Sequence, residues 1–290
     1  MQEIELSAGV IEYEDTGGSG PIVVLLHGLA MDGSVWRHVV SELRADHRCV
    51  VPTLPFGSHR RPMRADADLS LRGFAQLEAE FLEALDLRDV TLVGNDLGLF
   101  QITAGEHPER LARLVITSCE AFENIPPGLP GRTVALAARF PGGLNALVQP
   151  LRLRALRRLP LAFGWMAKRP IPHEITDAWL RPLLSQRATR RDLLKYLHNY
   201  SKSDLLAAAE RLRTFDRPAL VIWAAEDRVM PPEHGRRLAA LLPHARLVEI
   251  ADSYTLIPED QPAQLAAHIR AFIASEPITK ASARPAERQQ

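Results

Sequence analysis

Cysteine is scarce: Cys49 and Cys119 are the only two in 290 residues, and neither stands in a CxxC or metal-ligand spacing. A disulfide framework and a thiolate metal centre are therefore not expected, and both thiols read as buried and reduced. No apolar run approaches the roughly 18 residues of a membrane span. The opening MQEIELSAGVIEYEDTG carries acids and alternation in place of a basic segment and an apolar run, which predicts no signal peptide. Net charge is also missing, with 35 basic and 35 acidic side chains. Neither nucleic acid nor a membrane is an expected partner on that balance. A cytoplasmic protein that acts on a small molecule is the expectation, with a homodimer left open. What the chain does have is 46% hydrophobic content, enough for one large core with an inserted subdomain. One stretch is uneven: residues 123–214 carry 16 Lys and Arg against 6 Asp and Glu.

Residues 4–13 alternate apolar and polar around Gly9, which predicts an antiparallel hairpin at a sheet edge. PIVVLL from Pro21 is continuous and apolar, as a strand buried on both faces requires. RCVVPTL from Arg48, VTLVG from Val90, RLVITS from Arg113, ALVIWA from Ala219 and ARLVEI from Ala245 repeat the pattern. Helical periodicity falls between these runs, over 35–44, 71–85, 97–107, 233–242 and 262–274. Alternating strand and helix predicts an α/β chain with a mostly parallel, doubly wound sheet. Residues 123–214 break the rhythm and read as a helical insertion. The core is then 1–122 with 215–277, and 278–290 is expected to fray.

TLVGNDLG, from Thr91, runs a strand into a Gly-x-Asp-x-Gly turn just before a helix. A reactive side chain at such a turn sits in a strained backbone, with small neighbours making room for the strand-helix crossing. The plainer alternative is a capping aspartate at a strand end. LLHGLA, from Leu25, ends an earlier strand, where a backbone amide can help form an oxyanion hole. With both strings in this order, the chain resembles the α/β-hydrolase superfamily, in its aspartate-nucleophile branch of haloalkane dehalogenases, fluoroacetate dehalogenases and epoxide hydrolases.

The resemblance implies an α/β-hydrolase fold with a helical cap over 123–214 and no cofactor or metal. It implies Asp96 as nucleophile, Asp227 in VIWAAEDRVMP as the triad acid, and the amides of Leu29 and Leu97 as oxyanion donors. Where the family usually writes glycine-histidine, this chain has Tyr254-Thr255. The tryptophan that cradles halide after the nucleophile is Leu97 here, the asparagine near the oxyanion loop is Ala30, and the arginine of fluoroacetate dehalogenases is absent. Cap tyrosines that protonate an opening epoxide have counterparts in Tyr196 and Tyr200, one helical turn apart, although such a pair also suits packing.

A carboxylate that attacks an ester carbonyl gives a mixed anhydride, whereas attack on an sp3 carbon bearing a leaving group gives an ordinary alkyl ester. Asp96 thus points to carbon-halogen or epoxide opening and, with the halide cradle absent, to an epoxide or related sp3 electrophile. The family's histidine would then activate water, and a threonine hydroxyl cannot. Three readings follow. His59 or His198 supplies a relocated base. Alternatively, Asp96 serves a non-hydrolytic elimination, isomerisation or cyclisation. In the third reading hydrolysis is lost and the pocket binds a ligand, as in the superfamily's gibberellin receptors. Glu120, His27, Trp165 and Tyr254 are further candidates for contact with substrate.

Overall fold

The computed structural model describes residues 1–276, so the expected tail at 278–290 lies outside the described residues. β1 (Gln2–Leu6) and β2 (Gly9–Asp15) form the edge hairpin. The apolar runs become β3 (Ile22–Leu26), β4 (Arg48–Thr53), β5 (Val90–Asp96), β6 (Leu111–Cys119), β7 (Ala219–Ala224) and β8 (Ala245–Ile250). All lie in one sheet of order β1-β2-β4-β3-β5-β6-β7-β8. The pairs β1–β2 and β2–β4 are antiparallel and the rest are parallel. This is the α/β-hydrolase architecture expected above. β5 and β7 are buried at every position, which their unbroken apolar sequence demands once helices cover both faces.

α1 (Arg37–Leu43), α2 (Leu71–Ala84) and α3 (Leu99–Glu106) flank the first half of the sheet. The helix expected at 35–44 opens as a 3₁₀ turn, Gly33–Trp36, because Asp32 caps it by accepting the Ser34 amide. α3 begins two residues later than its periodicity suggests, since the preceding turn holds Asp96 and Leu97 outside the helix.

Between β6 and β7 come α4 (Gly128–Ala138), α5 (Gly143–Val148), α6 (His173–Ser185), α7 (Arg187–His198) and α8 (Lys202–Leu212). α4 to α7, joined by short 3₁₀ turns, supply much of the wall of a cavity above the sheet, while α8 lies against α3. α9 (Pro232–Leu241), the short α10 (Ile257–Asp260) and α11 (Pro262–Ser275) complete the chain, with α11 packed on α1.

Candidate active site

β5 delivers Asp96 at its carboxyl end with φ of +70°, a left-handed conformation costing about 1–3 kcal/mol for a side chain of this kind. Its neighbours hold it there. The Leu97 amide donates to the Asn95 carbonyl at 2.9 Å, and the Glu120 amide donates to the Asp96 carbonyl at 2.9 Å. Asn95 Nδ2 reaches the Thr117 hydroxyl and the carbonyls of Ser118 and Thr255 at 2.9–3.1 Å, tying the turn to β6 and the final loop. A Cβ at Gly94 would stand 1.9 Å from the Phe100 ring, and one at Gly28 would stand 2.0 Å from Asp96 Oδ2. Both positions need glycine because another group already fills the space.

The Asp96 carboxyl is 4% exposed and accepts the Leu29 amide at 2.9 Å. Burial pushes its pKa up to about 7, the Leu29 hydrogen bond opposes that rise, and nearby Asp227 adds to it. Asp96 therefore changes protonation near neutrality. It opens into a cavity of about 340 Å³ whose walls are largely Leu, Ala, Pro, Val and Met. The charged or phenolic side chains in the lining are Asp96, Glu120, Tyr196 and Tyr200. Leu29 and Leu97 also border it; the Leu29 amide is engaged by Asp96 itself and the Leu97 amide by the Asn95 carbonyl.

Glu120 ends the loop side of β6 and is buried, which pushes its pKa up to about 8. Burial likewise raises both tyrosines well above the ordinary phenol value, so they stay protonated and can only donate to a developing anion. Their rings lie 5.3 Å apart and neither hydroxyl makes an aligned hydrogen bond among the described residues. Tyr200 is close enough to Glu120 to oppose the rise of its pKa.

At the third position, Thr255 Oγ1 donates to Asp227 Oδ1 at 2.8 Å. The same oxygen accepts the amides of Val229 and Met230, while Oδ2 is buried without a partner. Burial pushes Asp227 up to about 6. The cap reaches this loop directly, since the Leu256 amide donates to the Met166 carbonyl at 2.7 Å. Asp227 and Thr255 are thus in direct contact, through a hydroxyl and not a ring nitrogen that could accept a proton.

The structure does not bring either candidate base to the cavity. His59 Nε2 lies 3.2 Å from Asp192 Oδ2 in a buried pair joining a core loop to α7. His198 Nε2 donates to the Ala138 carbonyl at 2.8 Å, within the cap. Neither lines the pocket, and no histidine is among its lining residues. His27 is held by both ring nitrogens, Nδ1 donating to the Gly28 carbonyl and Nε2 accepting the Leu54 amide. Burial drives its pKa down to about 4, so it stays neutral and braces the oxyanion loop.

Trp165 packs at the edge of the core and Tyr254 lies under the Arg228 guanidinium, 4.7 Å from the ring centre; both are outside the lining. Sequence reasoning missed Asp192, whose only signal was an acid among the arginines of RATRRDLL. It also missed the aliphatic wall of Leu144, Leu147, Leu151 and Leu156, which is spread over several short elements with no single period to reveal it.

A mostly parallel sheet, an elbow acid at the end of a central strand and helices over an apolar cavity define an α/β-fold enzyme of small-molecule chemistry. The chain belongs to the alpha/beta hydrolase fold family, whose model matches residues 21–262. A cis-3-alkyl-4-alkyloxetan-2-one decarboxylase of Xanthomonas campestris is 29% identical, over 96% of this chain and 97% of that protein. The decarboxylase of the same name from Shewanella oneidensis is 26% identical, over 93% and 87%. Among solved structures, an ancestral haloalkane dehalogenase superposes with a TM-score of 0.78 at 19% identity, over 95% of this chain and 99% of that one.

Proposed function

We propose that this enzyme opens a strained ring of a small apolar molecule through Asp96 and completes the reaction without an activated water. The observation that carries this reading is the Thr255 hydroxyl 2.8 Å from Asp227, together with a cavity lining that contains no imidazole. In the ionised form, Asp96 attacks an sp3 carbon bearing the ring oxygen. The carbon-oxygen bond breaks as the aspartyl ester forms, and Tyr196 and Tyr200 stabilise the departing oxygen. A β-lactone suits such a site, because its ring oxygen leaves as a carboxylate. Loss of carbon dioxide from that carboxylate sends the electrons of the broken carbon-carbon bond into a new double bond, which expels Asp96 as the free carboxylate. No water enters, so no base is needed to activate one. The names of the two decarboxylase relatives describe substrates of this kind.

Epoxide opening shares the first step and is favoured by the paired phenols in the lining. It would leave a hydroxyalkyl ester on Asp96 with nothing to hydrolyse it. The test uses dialkyl β-lactones and epoxides in oxygen-18 water, with intact-mass and headspace analysis. The expected result is alkene and carbon dioxide from the lactone, a stable adduct from the epoxide, and neither in Asp96→Asn. Repeated turnover of the epoxide to a diol carrying solvent oxygen would overturn the water-free reading. Absence of both adduct and turnover, with retained ligand affinity, would favour a binding protein.

A further inference from the structure

Nine large apolar side chains stand exposed among the described residues, and six of them fall within residues 129–161: Leu129, Leu136, Phe140, Leu153, Leu159 and Leu161, each 47–65% exposed. The same part of the cap is wholly basic in its charge, with eight Lys and Arg and no Asp or Glu between residues 124 and 173. Along α4 and the turn after it, the exposed positions include Leu129, Arg132, Leu136, Arg139 and Phe140, so apolar and cationic groups share one outer face. Arg154 and Arg157 are paired with Asp177, whereas Arg132 and Arg139 make no ion pair among the described residues. This patch is continuous with the cavity, because Leu159 and Leu161 are half exposed and also line it, beside Pro130 and Val134 of α4.

We propose that this face of the cap docks on an anionic lipid surface and admits the apolar substrate from it. Exposed leucine and phenylalanine side chains can enter the headgroup boundary while guanidinium groups meet lipid phosphates. A second copy of the chain is a poorer occupant, since an isologous contact would press two basic faces together. The chain's zero net charge does not weigh against docking, because a surface responds to the charges that face it. The described residues contain no helix long and apolar enough to cross a membrane, so contact at this face would be peripheral. The proposal rests on the cavity being the substrate site and is independent of the reaction that Asp96 performs.

The experiment is co-sedimentation of the full chain with vesicles of phosphatidylcholine alone and with about one third phosphatidylglycerol. Binding is expected to the mixed vesicles only, and to fall as salt rises from about 0.1 M to about 0.5 M. Arg132→Gln and Arg139→Gln should each weaken it about fivefold. Leu136→Ser with Phe140→Ser should weaken it further, while the melting temperature of these exposed-site variants stays unchanged. Equal affinity for both vesicles, or for neither, overturns the proposal. So does sedimentation of the free protein as a dimer that the apolar substitutions dissociate. Binding is read without turnover, so its failure is distinct from failure of the ring-opening chemistry.

Discussion

A hydroxyl 2.8 Å from Asp227 cannot hold a proton taken from water at neutral pH, whereas an imidazole in the same place can. Thr255→His should therefore convert the long-lived Asp96 adduct of an epoxide probe into a hydrolysed one, shortening its lifetime by about 10²-fold or more. Intact mass followed over time reads this directly, with Thr255→Val as the control that leaves the adduct in place. An equally durable adduct in a folded Thr255→His variant would mean that something other than the missing base blocks water. Formation of the adduct has its own pH signature. On the proposed mechanism Asp96 attacks as the carboxylate, and burial pushes its pKa up to about 7, so the single-turnover rate should rise with pH through one ionisation and level off above it. A rate unchanged between about pH 5 and 9 would show that Asp96 stays ionised throughout. At this scale the sequence was informative wherever a residue's meaning is local: Asp96 is marked by its glycine-flanked turn and Thr255 by its place in the last loop. His59 was opaque because its partner, Asp192, lies 133 positions away.

α7 carries Asp192 and Tyr196 on one buried face, with Tyr200 just beyond its end. Asp192 is fully buried and accepts from the Met63 amide at 2.9 Å, from Arg191 and from His59. Burial acts to raise its pKa, and these donors outweigh it, so the group lies below the ordinary carboxylate range. The helix that carries Tyr196 and leads into Tyr200 is thus pinned to the core by one carboxylate. Asp192→Ala should cost about 1–3 kcal/mol for each buried donor it orphans, measured by urea unfolding, and should raise KM for a cavity substrate as the tyrosines lose their seat. Unchanged stability would show that the pin carries no load. The central strands were legible because burial on both faces forces unbroken apolar runs, whereas β8, expected to repeat that pattern, is an edge strand and mostly exposed. The cap elements were not, since 3₁₀ turns and prolines interrupt their periodicity and packing on α3 or on the final loop sets their boundaries.

Four buried carboxyls shape the molecule's response to pH: Asp227, Asp96, Glu120 and Glu78 are raised to about 6, 7, 8 and 8, in each case first by burial. A carboxyl whose folded pKa is raised contributes stability below its unfolded value near 4, and that contribution is lost as pH climbs through the folded value. His27, lowered to about 4, works in the opposite sense, with stability present above about 6.5 and lost as pH falls through 4. The four carboxyls outnumber the one histidine, so the fold is most stable in acid solution and the melting temperature should decline from about pH 4 to 8 and level off above that. Asp96 and Glu120 line the cavity and Asp227 lies against Thr255 beside it, so on the proposed function their cost accompanies chemistry that needs a carboxylate in an apolar cavity. Glu78 is different: it joins α2 to α3 through Thr103 and lies outside the cavity lining. Glu78→Gln should hence flatten this decline, by on the order of 5 kcal/mol at most, while matching the parent protein at about pH 4 and leaving the Asp96 adduct rate untouched. Parallel decline in the two proteins would show that Glu78 ionises without penalty, and the pH sensitivity would then belong to the active site alone.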